Sequence, residues 1–290
     1  MSKSKDLVIE YYQHYWPKFV QWWAVDETLG IHYGYFEKGI HTHKEAILNM
    51  NDYVWSLIGL ENRESSRILD AGCGVGGTSI YLAKKYPNVE FIGLAISSEQ
   101  INLANNLAKK YQVKNVKFKT KSYLDTGLPD NYLDAIFALE SVCYQKDKKD
   151  FMREAYRILK PGGKLVVLDG FLIRSPSNPI VLKIYKSWCR GRRLSKLESP
   201  KYFMSSLSNE GFTDINCHNL GKNIRRSAFR GFLIGIPFFF SSMLKRIIKL
   251  GKYEPDEDPD WFLGLSVIGT FLGINGVNGY YAITAIKNNR

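Results

Sequence analysis

From about residue 66 to residue 170 the chain alternates short aliphatic runs with longer amphipathic stretches. Ile68–Leu69, Val89–Leu94, Ala135–Leu139 and Lys164–Asp169 are near-continuous apolar runs, the pattern of strands buried on both faces. Helical spacing fills the intervals, beginning with Thr78 to Tyr86. Upstream, residues 42 to 60 predict a helix with Thr42 as N-cap and Glu45 completing a capping box. Residues 5 to 24 predict one or two helices dense in rings, broken or kinked at Pro17. Downstream, Phe232–Phe240 and Trp261–Ile274 are apolar but interrupted by glycines, Pro237 and serines. Neither reaches the roughly 18 apolar residues of a spanning helix, so both read as cap or interfacial elements. The acidic run Glu254 to Asp260 between them reads as an exposed loop, and Gly279–Lys287 as a final strand.

Strand and helix in strict alternation require a parallel sheet covered on both faces, so the fold class is α/β. The 290 residues, 45% hydrophobic and 14% aromatic, are enough for one large domain with insertions, and no repeat or low-complexity tract appears. We divide the chain into an N-terminal helical lid (1–60), a Rossmann-like core (61–170), a substrate cap with remaining core elements (171–275) and the last strand and tail (276–290). Cys73, Cys143, Cys189 and Cys217 are far apart with no C-x-x-C pair, a pattern that suggests neither a zinc site nor a disulfide framework and fits a reducing compartment. The polar start MSKSKD lacks an apolar signal core, so the expected location is cytoplasmic, with membrane association as the other option.

The formal charge of +12 is concentrated late, at Lys183–Lys196, at Lys222–Arg230 and at Lys245–Lys249. Such clusters are solvated faces, phosphate sites or lipid-facing patches. Nucleic acid is not the expected partner, because these basic residues interleave with aliphatic ones and no N/D-P-P-[YF] motif is present.

The chemistry centres on Arg67–Gly77, RILDAGCGVGG, in which a strand ends at Asp70 and runs into Gly72, Gly74, Gly76 and Gly77. Such a loop turns tightly and brings backbone N–H groups and a helix N-terminus to a polar ligand. It lacks the Lys of a P-loop and the G-x-G-x-x-G rhythm of dinucleotide folds. D-x-G-x-G-x-G resembles the first motif of class I S-adenosylmethionine (SAM) dependent methyltransferases. The resemblance continues through Ala95–Gln100, Asp134–Glu140, Leu159–Leu165 and Gly279–Lys287, all similar to the sterol, tocopherol and cyclopropane synthase branch. It implies a seven-stranded, mostly parallel sheet flanked by helices, with an aromatic helical lid and a helical cap inserted before the last strand. For the cofactor it implies Asp70, Gly72, Cys73, Gly74, Gly76 and Leu139. Ala95 stands where the wider superfamily has a ribose-binding acid, so Gln100 is the ribose candidate; Ser122 and Tyr123 are the adenine candidates.

Glu140-Ser141-x-x-Tyr144 is similar to the E-S-x-x-Y segment of prenyl diphosphate C-methyltransferases. A carboxylate closing an apolar strand beside rings should have a raised pKa and can take a proton; the same Glu could also cap the following helix or pair with a surface Lys. By the same resemblance His32 and Tyr33, in the turn Gly30–Phe36, fold over the methionine end of the cofactor, although a histidine there can equally be a core group. The expected catalytic set is therefore Glu140, Tyr33, Tyr144 and His32, with no metal ligands. Tyr11, Trp22, Arg192, Arg193 and Arg226 are expected to meet the substrate.

The expected activity is SAM-dependent C-methylation of an isoprenoid, a prenyl diphosphate or another alkene-bearing terpenoid, through a carbocation deprotonated by Glu140. Mg²⁺ would join only for a diphosphate. The alternatives are a sterol, quinol or amine acceptor, or a non-catalytic SAM-binding module at a membrane surface. The expected partner is an apolar or amphiphilic small molecule, with peripheral membrane contact open.

Overall fold

Consecutive residues of each central strand go to opposite faces, and both faces are covered. Ile68, Phe91, Phe137 and Val166 pack into one core layer, while their neighbours Leu69, Ile92, Ile136 and Val167 pack into the other. That arrangement is why the strands read as unbroken aliphatic runs.

The computed structural model of the chain describes residues 23, 25–60, 65–194, 196–248 and 259–289. In chain order the elements are α1 (Val25–Thr28), α2 (His43–Ile58), β1 (Ser66–Ala71), α3 (Gly77–Lys85), β2 (Val89–Ala95), α4 (Ser98–Lys110), β3 (Val116–Thr120) and β4 (Leu133–Leu139). A 3₁₀ turn (Val142–Tyr144) leads to α5 (Lys148–Ile158), β5 (Leu159–Leu172), α6 (Pro179–Gly191), α7 (Pro200–Asn209) and β6 (Phe212–Asn219). The chain then continues through α8 (Gly221–Ile248) and α9 (Pro259–Ile274) to β7 (Asn278–Lys287). The sheet order is β3-β2-β1-β4-β5-β7-β6, with β7 antiparallel to both neighbours and the other pairings parallel. Strand order reverses at β1/β4, so the carboxyl ends of β1, β2 and β4 frame a crevice, the place where open α/β sheets bind ligands.

Local signals set the helix ends around this crevice. Thr42 caps α2 by accepting from the Glu45 N–H, and the Glu45 carboxylate accepts from the Thr42 N–H in return. Ser97 caps α4 by accepting from the Gln100 N–H, which fixes where Gln100 enters the crevice. β5 is longer than its apolar run, because β7 pairs with it from Lys164 to Leu172 and Leu159 pairs with Leu133.

One expectation is corrected. Pro237 and the glycines do not interrupt the Phe232–Phe240 segment; α8 is one helix of 28 residues running straight through Pro237. By length and composition it could cross a membrane. Close packing of α9 supports it: a Cβ on Gly264 would lie 2.8 Å from Phe239 Cα, so the two backbones nearly touch beside the proline. Tertiary contact here outweighs local propensity. The ring-rich residues 5 to 22, including Tyr11 and Trp22, lie outside the described residues, as does most of the acidic run.

Candidate active site

The glycine loop bends because side chains would not fit. Gly72 has φ +97°, and a Cβ there would fall on the Ser141 side chain, so only glycine lets β1 and β4 approach at this point. Its N–H and that of Cys73 both donate to Leu94 O, at 2.9 and 3.0 Å, tying the loop to β2. Gly74 differs: its φ is +54°, yet nothing lies within 4 Å of a Cβ built on it, because it faces open cavity. Asp70 is buried at the end of β1 and accepts from Ser79 Oγ at 2.7 Å. Burial pushes its pKa up to about 7, against the smaller lowering effect of that hydrogen bond.

A cavity of about 940 Å³ opens beyond this loop, large enough for a cofactor and an acceptor side by side. In its wall β4 hands over to Glu140, which adopts φ +53° and donates its N–H to Leu168 O at 2.8 Å. This left-handed residue turns the chain back at the sheet edge, and the side chain points into the cavity. Glu140 Oε1 accepts from the Tyr33 N–H at 2.8 Å and from the Tyr280 hydroxyl at 2.9 Å. Burial pushes the Glu140 pKa up to about 7; the Tyr33 and Tyr280 donors and the Arg192 charge pull it down, while the Asp169 carboxylate pushes it up. Glu140 is therefore neither a helix cap nor the partner of a surface lysine.

The rings of Tyr33 and Tyr280 meet edge-to-face at 5.7 Å, and Trp23 meets Tyr33 at 6.3 Å. Asp169, buried at the carboxyl end of β5, accepts from the N–H groups of Cys143 and Gly170, both at 2.8 Å. Burial raises its pKa as well. Arg192 enters from the end of α6 and donates to Ser266 Oγ on α9 at 2.9 Å, near enough for its charge to act on Tyr33 and Glu140.

Residues 62–208, just over half of the chain, match the family model described as a methyltransferase domain. The chain belongs to this methyltransferase family. It is 34% identical over 148 residues to 27-O-demethylrifamycin SV methyltransferase of Amycolatopsis mediterranei (strain S699), covering 51% of this chain and 53% of that one. With the chloroplastic tocopherol O-methyltransferase of Arabidopsis thaliana it shares 28% over 193 residues, 63% of this chain and 55% of that one. The chain thus spans little more than half the length of these relatives. Its fold superposes on geranyl diphosphate C-methyltransferase from Streptomyces coelicolor A3(2) with a TM-score of 0.74 at 16% identity, covering 99% and 98% of the two chains. At that identity the likeness is one of fold.

The cavity lining brings together most of the residues singled out from sequence. Asp70, Gly72, Cys73 and Gly74 line it from the end of β1 and the loop that follows, Gln100 from the first turn of α4, Ser122 and Tyr123 from just after β3, and Leu139 from the end of β4. His32, Tyr33, Glu140 and Tyr144 also line it, with Arg192 and Arg226 contributed by the helical cap. Gly76 and Arg193 are not among the lining residues: Gly76 sits behind the loop against the Phe118 ring. Arg226 lines the cavity while its guanidinium donates to His41 O at 2.9 Å and stacks over Phe36 at 4.4 Å, pinning the chain before α2. His32 is buried with Nδ1 3.0 Å from Tyr33 O, and burial lowers its pKa to about 4, so it stays neutral and shapes the turn.

Sequence reading missed Asp169, Tyr280, Gln145 and Trp188, all in the lining. Asp169 carries the same signal as Asp70, an acid closing an apolar strand, and was legible in principle. Tyr280 was not: it reaches Glu140 across β5, 140 residues away.

The site fits SAM. The open wall at Gly74 leaves room for a ligand against the backbone, as a side chain would not. Gln100, in the first turn of α4, brings a polar side chain to the cavity beside the end of β2, where Ala95 offers none. The Tyr123 hydroxyl is committed, donating to Ser141 O at 2.8 Å and accepting from Gln145 Nε2 at 2.6 Å, so the ring is what it presents. Mg²⁺ fits less well: among the described residues no group of three or more His, Cys, Asp or Glu side chains is placed to hold a metal ion.

Proposed function

We propose that the chain is a SAM-dependent methyltransferase acting at a carbon of an apolar, alkene-bearing isoprenoid, with Glu140 as the base. The observation that carries this reading is the Glu140 carboxylate itself. It lines the cavity, is held by the Tyr33 N–H and the Tyr280 hydroxyl, and is shifted to a pKa of about 7.

SAM, when bound, supplies an activated electrophilic methyl group. Asp70, the Gly72–Gly74 backbone and Gln100 would hold it, with Ser122 and Tyr123 at the adenine end. What the protein must then do is align the acceptor and exclude water. As the alkene forms its new C–CH₃ bond, the adjacent carbon becomes cationic. Faces of Tyr33, Tyr144 and Trp188 would stabilise that charge. Glu140 would then take a proton from the neighbouring carbon, and the C–H electron pair restores the double bond. For a diphosphate substrate Arg192 is the cation best placed to meet the anionic end, with Arg226 at the rim; Arg193 would act only at longer range.

An N-methylation reading rests on a second observation: Asp169 and Glu140 present two carboxylates beside aromatic rings, a lining that would also hold an amine. The test is transfer of a labelled methyl group from SAM to geranyl diphosphate, a free terpene alcohol, a quinol and a tertiary-amine precursor, with products read by mass spectrometry. A new C–CH₃ bond on an isoprenoid supports the proposal. Labelling confined to nitrogen or oxygen overturns it.

A further inference from the structure

Helix α8 is built inside out. Its buried positions are Ile224, Ser227, Gly231, Gly235 and Ser242, mostly small residues, on the side that packs against the body and α9. Its large apolar side chains face away: Phe229, Leu233, Phe240, Leu244 and Ile247 are 51–68% exposed. Their spacings of four, seven, four and three residues place all five on one face of the helix, and Met243 and Ile248 widen the stripe. Ordinary surface helices of soluble proteins show the reverse arrangement. An exposed apolar stripe of this length marks an interaction surface.

The charges say what covers it. α8 contains Lys222, Arg225, Arg226, Arg230, Lys245 and Arg246 and no acidic residue. Lys222, Arg225, Arg226 and Arg230 are exposed at the start of the stripe, on its own side of the helix, and Lys245 and Arg246 flank its far end. An apolar stripe bracketed by cations is complementary to an anionic lipid surface, with aliphatic and aromatic groups entering the acyl boundary and the basic groups meeting headgroups. The charge-free stretch from Gly231 to Leu244 is 14 residues. It would extend about 21 Å at a rise of about 1.5 Å per residue, short of the roughly 30 Å hydrocarbon core. The whole helix is long and apolar enough to cross a membrane, but its charge-free stretch is too short to fill the hydrocarbon core, so the helix suits lying in the interface.

The cavity opens on the same surface. Phe229 and Ile274 line it and are at the same time 53% and 82% exposed, and Arg225 and Arg226 line it beside them. We propose that the outward face of α8, with the end of α9, docks this enzyme on anionic bilayers and presents the cavity mouth to the lipid phase. An apolar acceptor would then enter without crossing water. Only this last clause rests on the proposed function; the docking itself does not.

The test is flotation of the full chain with vesicles of phosphatidylcholine alone and with about one-third phosphatidylserine, without any acceptor. The wild type should float with the anionic vesicles, and binding should weaken as salt rises from about 0.05 to about 0.5 M. The double variant Phe240→Asp/Ile247→Asp should lose at least about tenfold in vesicle affinity, because it places two charges within the stripe. Neither residue lines the cavity, so S-adenosylhomocysteine affinity by calorimetry should be unchanged and serves as the control for folding. A variant that lost both properties would be replaced by Leu244→Ser/Ile247→Ser, read the same way. Absence of wild-type binding to anionic vesicles overturns the proposal, as does binding that the substitutions leave intact. A concentration-dependent dimer abolished by the same substitutions would also overturn it, assigning the stripe to a second copy of the chain. Because no methyl transfer is measured, failure here leaves the C-methylation reading standing, and success does not support it.

Discussion

Glu140→Gln isolates proton acceptance from every other role of the residue. The carboxylate's Oε1 holds two donors, the Tyr33 N–H at 2.8 Å and the Tyr280 hydroxyl at 2.9 Å. A glutamine carbonyl can accept both, so the turn carrying His32 and Tyr33 should stay docked and the cavity keep its shape. What disappears is the negative charge and the ability to take a proton. Loss of a general base costs about 10²–10⁴-fold in kcat, which corresponds to about 3–5 kcal/mol of barrier. SAM affinity should change little, so kcat and kcat/KM fall together. The pH profile supplies an independent readout. A base must be ionised to act, and burial has raised the Glu140 pKa from 4.5 to about 7. Wild-type activity should therefore rise tenfold per pH unit up to about 7 and level off above it. An ordinary exposed carboxylate would already have reached its plateau well below that pH. The assay is steady-state methyl transfer at saturating SAM across this range. Near wild-type turnover by E140Q, or an acid limb that survives the substitution, would refute Glu140 as the base.

Tyr280→Phe should keep most of the activity but move the acid limb to higher pH, since the lost hydroxyl lowers the Glu140 pKa; an unmoved limb would contradict the assignment. Gly74→Val should lose S-adenosylhomocysteine binding in calorimetry, because its side chain would project into open cavity, and should also lose some stability because a β-branched residue is strained at φ +54°. Gly72→Ala should instead destabilise the fold, by about 2–5 kcal/mol in denaturant titration, from the left-handed backbone and the collision with Ser141. If the substrate is a diphosphate, Arg192→Ala should raise KM by one to two orders of magnitude, about 1.5–3 kcal/mol for charge-assisted hydrogen bonds, while Arg193→Ala should leave it unchanged.

The doubly covered sheet, its central strands, the capping box before α2 and the glycine loop were all legible in the chain. Each depends on near neighbours: two adjacent aliphatic residues point to opposite faces, and Thr42 meets Glu45 within one turn. The loop is legible for the same reason, since a backbone with φ of +97° selects glycine wherever the rest of the chain lies. Glu140 was legible as an acid closing an apolar strand, but not its state. Its pKa depends on burial and on Tyr33, Tyr280, Asp169 and Arg192, which arrive from four other parts of the chain. No local pattern distinguishes Arg192 from Arg193; one faces the cavity and its neighbour does not, because α6 ends there and the chain turns, with Arg193 at φ +54°. Pro237 and the small residues of α8 were read as interruptions because propensity is a property of one residue, whereas the helix persists through its packing on α9. Folding brings distant groups together and removes water from around them. Strand and helix patterns survive without that step, but hydrogen-bond partners, ionisation and the direction a helix faces are created by it.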